Sequence, residues 1–167
     1  MAFAPINLKK WIDENRHHLK PPVGNKMIWN SGYMVMVVGG PNQRSDFHVN
    51  PTEELFYQVE GDIILKIMEE GKVKDIPIRE GDLFLLPANI PHSPQRPANT
   101  VGLVIEQKRP QGQNDHMRWY CPQCGELLHD AEFYLVNLGE QLKPIIEQMK
   151  ADPAKRTCRQ CGTVLEM

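Results

Sequence analysis

Between Gly39 and Gly61 the chain reads GGPNQRSDFHVNPTEELFYQVEG, with His48 six residues before Glu54 and Glu54 seven before Gly61. Further on, GDLFLLPANIPH places Gly81 six residues before Pro87 and His92 five after it. Two imidazoles and a carboxylate delivered from neighbouring strands form a facial triad. Such a triad leaves three coordination positions open and suits a non-haem Fe(II) that must bind a substrate and oxygen together. A lone histidine in a chain of this kind is ordinarily a packed or surface residue, and His17, His18, His116 and His129 are read that way. The joint placement of His48, Glu54 and His92 between glycine turns sets them apart. Glu53 competes with Glu54, since adjacent residues of a strand point to opposite faces.

A second constellation lies near the end of the chain. Cys121-Pro122-Gln123-Cys124-Gly125 and Cys158-Arg159-Gln160-Cys161-Gly162 each read as a metal-binding knuckle, two thiolates clamping one ion above a glycine turn. Together they point to a tetrahedral four-thiolate site of rubredoxin type, with two disulfides or a redox pair as the alternatives. Iron and zinc both accept four sulfurs in a tetrahedron, so the ligands leave the metal open. Closed coordination has no place for a substrate, which makes the expected role structural. The site is expected to pin the C-terminal segment so that its helix lies over the barrel or covers the active-site mouth.

The elements that must position these residues follow from pattern. The chain has 167 residues, 41% of them apolar, which fits one ordinary domain with a small appendage. Nineteen basic against 21 acidic residues give a net charge of -2 with no block of about five like charges, so no footprint for nucleic acid or an anionic membrane is visible. The longest apolar stretch, Tyr33 to Val38, falls far short of the roughly 18 residues of a spanning helix, and the N-terminus turns charged before an apolar signal region could form. A soluble cytoplasmic protein with a small-molecule partner is expected.

Ile6, Leu8, Trp11, Ile12 and Leu19 recur among charges at helical spacing, which predicts a helix over 6–20 stopped by Pro21-Pro22. From Met27 to Ile105 the pattern changes to short apolar runs (33–38, 55–59, 63–68, 73–78, 83–86 and 101–105) punctuated by glycine turns. That is the signature of an antiparallel sandwich or barrel. Residues 108–118 read as a polar connector, and 130–150 as a helix between the knuckles. The expected division is a barrel with its N-terminal helix over 1–110 and a C-terminal metal-binding segment over 111–167.

The two glycine-framed segments resemble the paired motifs of the cupin superfamily, which implies a mainly β fold: a jelly-roll barrel with a few helices, holding a metal in its mouth. The family spacing selects Glu54 over Glu53. Asn50 stands where that pattern has a second histidine, which removes a fourth protein ligand, and Asn89 stands where it has a glycine. The fuller strings GGPNQRSDFHVNPTEELFYQVEGD, REGDLFLLPANIPHSPQRP and GLVIEQKRP are similar to the 3-hydroxyanthranilate dioxygenase family. The resemblance covers nearly the whole chain, and the cysteine tail is similar to the bacterial form.

The resemblance implies Fe(II) on His48, Glu54 and His92, and structural Fe or Zn on Cys121, Cys124, Cys158 and Cys161. It implies that Arg96 binds the substrate carboxylate, since a guanidinium fork matches a planar carboxylate. Arg44 would lie toward oxygen, Glu106 would contact the ring's amine or hydroxyl, and Glu54 would bind substrate as well as metal. The implied reaction is extradiol cleavage of 3-hydroxyanthranilate by O2 to 2-amino-3-carboxymuconate semialdehyde. That product cyclises without the enzyme to quinolinate, on the route from tryptophan to NAD. A homodimer is implied as well. A cupin isomerase or epimerase with a redox-inert metal is the alternative, against which Asn50 and the arginine pair count.

Overall fold

The computed structural model describes residues 4–21, 24–136 and 138–167, so Pro22, half of the expected helix stop, lies outside the described residues. Helix α1 (Leu8–Asn15) is capped by the Asn7 side chain, which accepts from the Lys10 backbone N–H, and runs into a 3-10 turn at Arg16–His18. Ile12 and Leu19 bury themselves against Val37 and Val101, so the helix is held by packing.

Among the described residues eleven strands follow. They are β1 (Asn25–Asn30), β2 (Tyr33–Gly39), β3 (Phe47–Val49), β4 (Glu54–Glu60), β5 (Ile63–Glu69), β6 (Lys72–Ile78), β7 (Leu83–Leu86), β8 (His92–Gln95), β9 (Val101–Gln107), β10 (Asp115–Tyr120) and β11 (Leu127–Phe133). They form two antiparallel sheets, ordered β1-β2-β9-β4-β7 and β11-β10-β3-β8-β5-β6. This is the mainly β architecture expected from the apolar runs.

Period-two alternation decides what faces inward. In β4 it turns Glu54, Phe56 and Gln58 inside, and in β9 Gly102, Val104 and Glu106. The register then pairs Glu54 with Glu106, Phe56 with Val104 and Gln58 with Gly102. The middle pair belongs to a core with Met34, Met36, Ile63, Leu65, Ile78 and Leu86, while the outer pairs bring polar groups to the interior. Across the barrel, His48 of β3 and His92 of β8 are direct cross-strand partners.

Two expectations are corrected past residue 110. The connector is shorter than 108–118, because Asp115–Tyr120 is a strand that pairs with β3 and sets Met117 opposite His48. The helix expected over 130–150 is α2 (Leu138–Ala151), followed by α3 (Pro153–Arg156), because 127–133 instead pairs along β10. Strand pairing there overrides local helical preference. The six-stranded sheet thus continues across position 110/111. Beyond it Met117, Trp119 and Leu165 pack with Met149 of α2 in a separate buried cluster. Among the described residues no helix is long and apolar enough to cross a membrane.

Candidate active site

The structure brings His48, Glu54 and His92 together, all buried, with one ligand atom of each within 4.8 Å of the others. Each histidine has its other ring nitrogen engaged. Nδ1 of His92 lies 3.0 Å from the Ile90 carbonyl oxygen, and Nε2 of His48 lies 2.7 Å from Asp115 Oδ2. Partners of this kind orient the imidazoles of metal sites. Nε2 of His92 then faces Glu54 Oε2 at 3.1 Å, two acceptors that need a cation between them, a proton or a metal ion. The donor set fits a three-ligand metal centre.

The charges follow from the same geometry. Burial pulls the His48 pKa down, and the neighbouring His92 adds to this against the pull of Asp115. Burial also disfavours charge on His92, but Glu54 at close range outweighs it and raises its pKa. Glu54 is held low by His92, His48 and Arg109 despite its own burial. Glu106 beside it is pushed up to about 7, by burial first and then by the Glu54 charge, with Arg109 opposing. Two carboxylates in one register pair therefore divide into a firm anion and a group that titrates near neutrality.

These residues open on a cavity of about 710 Å³ that Arg44, Arg96 and Glu106 also line. Arg96 is almost wholly buried, hydrogen-bonded through Nη1 to the neutral Gln58 Oε1 at 3.4 Å, and its pKa falls to about 10 through burial and the charge of Arg44. Gly102 leaves room for this guanidinium, since a Cβ there would meet Arg96 Nη1 and Gln58 Oε1 at 2.8 Å each. Arg44 pairs with Asp46 through Nε and Nη2 and keeps its charge. All six expected site residues therefore share one cavity. The remaining histidines stay out of it: His116 pairs with Asp130, His129 stacks on Trp119, and His17 and His18 face each other.

Three participants carried no signal of this role in the sequence. Asn50 is fully buried and points its amide nitrogen at Glu54 and Glu106, 3.3 and 3.5 Å away. Arg109 and Asp115 form a buried ion pair behind the triad. Both lie in the stretch that reads as polar connector; the strand pairing of β10 places Asp115, and bonds to Asp115, Glu106 and Thr52 place Arg109.

The four cysteines converge as the knuckles predict. Sγ of Cys121 lies 3.5 Å from that of Cys161, and Sγ of Cys124 3.6 Å from that of Cys158. A disulfide would need roughly 2.05 Å, whereas sulfurs at about 2.3 Å from a central ion lie roughly 3.8 Å apart. The two knuckles have the same backbone bonds. Cys121 N–H donates to Glu126 O and Gly125 N–H to Cys121 O; Cys158 N–H donates to Thr163 O and Gly162 N–H to Cys158 O. Both glycines have φ of 75°, a left-handed turn that only glycine adopts without strain. Hydrogen bonding with Thr163 brings the Cys161 thiol down to about 6, whereas, against a backbone hydrogen bond at Glu126, the neighbouring sulfurs push the Cys124 thiol up to about 12. Leu142, Lys143, Ile146, Glu147 and Lys150 of α2, together with Met167, also line the 710 Å³ cavity.

Comparison with known proteins bears on this geometry. Residues 1–150 match the family model described as 3-hydroxyanthranilic acid dioxygenase. A 3-hydroxyanthranilate 3,4-dioxygenase of Yarrowia lipolytica is 54% identical over 166 residues, covering 98% of this chain and 97% of that one. Enzymes of the same name from Candida albicans and Podospora anserina are 54% and 53% identical, covering 96% and 98% of this chain and 94% and 90% of their own. Among solved structures, a cupin-2 domain protein of Shewanella frigidimarina superimposes with a TM-score of 0.50 at 17% identity, covering 61% of this chain and 93% of that one. A Neisseria meningitidis protein gives 0.51 at 22%, covering 62% and 99%. At such identities the superpositions establish the cupin fold alone.

Proposed function

The chain belongs to the 3-hydroxyanthranilic acid dioxygenase family, and we propose that it catalyses extradiol cleavage of 3-hydroxyanthranilate. Both atoms of O2 enter the product, 2-amino-3-carboxymuconate semialdehyde, which closes spontaneously to quinolinate. One observation carries this reading: an open three-ligand triad faces a buried arginine, bonded to a neutral glutamine, across a single cavity.

His48, Glu54 and His92 would hold a redox metal, iron in this proposal, which would supply a centre able to take up ring and dioxygen and exchange electrons with them. The chain's own groups do the rest. Arg96 binds the substrate carboxylate through its fork and fixes the ring's position. Glu106, with its pKa near 7, accepts a proton from the ring hydroxyl or amine. Arg44 faces the same cavity on the oxygen side, and α2 narrows the way to bulk water. The four cysteines, holding iron or zinc, keep that helix in place.

The first test is oxygen uptake by protein loaded anaerobically with Fe(II) when 3-hydroxyanthranilate is added. The expected result is one O2 per substrate, lost in His48→Ala and not supported by catechol. No uptake with iron demonstrably bound would overturn the reading and favour an isomerase.

A homodimer and a cytoplasmic location belong to the same proposal. Trp29, Val35, Ile105, Leu55 and Leu85 are successive register partners across all five strands of the first sheet, on its outer face. Trp29 is 49% and Leu85 52% exposed, so this apolar row suits a second copy. Four thiols kept for a metal suit a reducing compartment. A monomer mass by light scattering would remove the dimer.

A further inference from the structure

Arg109 and Asp115 do more than neutralise each other. Every N–H of the Arg109 guanidinium has its own acceptor. Nε bonds Asp115 Oδ1 at 2.6 Å, Nη2 bonds Asp115 Oδ2 at 2.7 Å and Glu106 Oε2 at 2.6 Å, and Nη1 bonds Thr52 Oγ1 at 3.1 Å and the Gln107 carbonyl at 2.9 Å. A guanidinium only donates and keeps its charge in proteins, so its position and polarity are fixed. Asp115, wholly buried and gripped by that fork, is an ionised carboxylate that only accepts. The ring nitrogen it meets 2.7 Å away must therefore carry the proton, and that nitrogen is Nε2 of His48. His92 is set the opposite way, because the Ile90 carbonyl can only accept and lies 3.0 Å from Nδ1.

We propose that Arg109 and Asp115 are positioning residues that make Nδ1 of His48 its metal-binding atom, while His92 binds through Nε2. The two histidines, although direct partners on adjacent strands, present different nitrogens to one centre. The second N–H of Arg109 Nη2 holds Glu106, so one buried cation sets the attitude of a ligand and of the carboxylate that meets the substrate. The inference rests on the metal reading of the triad given above.

The test uses the full chain with 15N-labelled histidine and long-range proton–nitrogen correlation, His48→Gln serving to assign the His48 signals. In the metal-free protein the proton of His48 is expected on Nε2. Zinc added beyond what the cysteines take is expected to shift Nδ1 of His48 and Nε2 of His92. A proton on Nδ1 of His48, or a zinc shift at its Nε2, overturns the inference and leaves the metal reading standing. Zinc that moves neither ring overturns the metal reading and the inference with it. Asp115→Asn is expected to weaken zinc at the triad about 10- to 100-fold and to lose the Nε2–H pattern of His48, with His92 and the cysteine site unchanged. An Asp115→Asn protein of wild-type affinity and spectrum overturns the assignment, and the wild-type spectrum decides by itself should that variant not fold.

Discussion

The triad of His48, Glu54 and His92 lies inside the barrel, with a cavity before it and buried charge behind, whereas the four cysteines meet between two hairpin knuckles and close on themselves. The first takes its ligands from three strands in two sheets and leaves coordination open; the second takes them from two copies of one local turn. Reactivity depends on long-range placement and is costly to assemble. Anchoring needs only a local geometry that can be written twice.

The contrast breaks most sharply at Glu54. Glu54→Ala is expected to empty the triad and lower turnover at least roughly a thousandfold, with one metal per chain still on the cysteines by elemental analysis. If both metals stayed, the ligand assignment would fail. Next comes Arg96→Ala, where the buried substrate carboxylate loses its partner, about 3–5 kcal/mol, so that kcat/KM falls several hundredfold with iron loading intact. A normal KM would refute the clamp. Replacing Cys121 and Cys158 by serine should reverse the pattern: Tm falls by about 5–15 °C while turnover stays within about tenfold. Full stability and full turnover together would end the idea that the knuckles hold α2.

Two smaller effects sharpen the picture. Gly102→Ala pushes a methyl against Arg96 and Gln58, so KM should rise about tenfold with little change in kcat; the same rise in an Arg96→Ala background would show that the methyl acts elsewhere. Glu106 binds its proton up to about 7 in the folded, metal-free chain against 4.5 unfolded. The folded chain therefore holds more protons across that window, and stability falls as pH rises through it. Metal-free Glu106→Gln should show a shallower fall in Tm, and parallel curves would contradict this.

The same contrast governs what the sequence could reveal. The cysteine knuckles are legible because ligands and turn are contiguous, and β2, β4, β5, β6, β7 and β9 because apolar runs between glycine turns mark them. Strands β3 and β8, three and four residues long, are too short to show a period. In β10 and β11 polar residues such as Arg118 and Asp130 pair across strands, so they read as connector and helix. The triad, Arg44, Arg96 and Glu106 were legible through motif resemblance. Arg109 and Asp115 were not, because Asp115 meets His48 across 67 positions and Arg109 acts through Asp115.

The division of the triad between two sheets also affects how the barrel breathes. His48 and His92 hang from β3 and β8 of one sheet and Glu54 from β4 of the other. An ion bound to all three is a cross-link between the sheets, and any fluctuation that parts them must first break a coordination bond. Amide hydrogens of β3, β4 and β8 should therefore slow together in solvent exchange on loading, as one cooperative unit, while those of β6, at the far edge of its sheet, keep their metal-free rates.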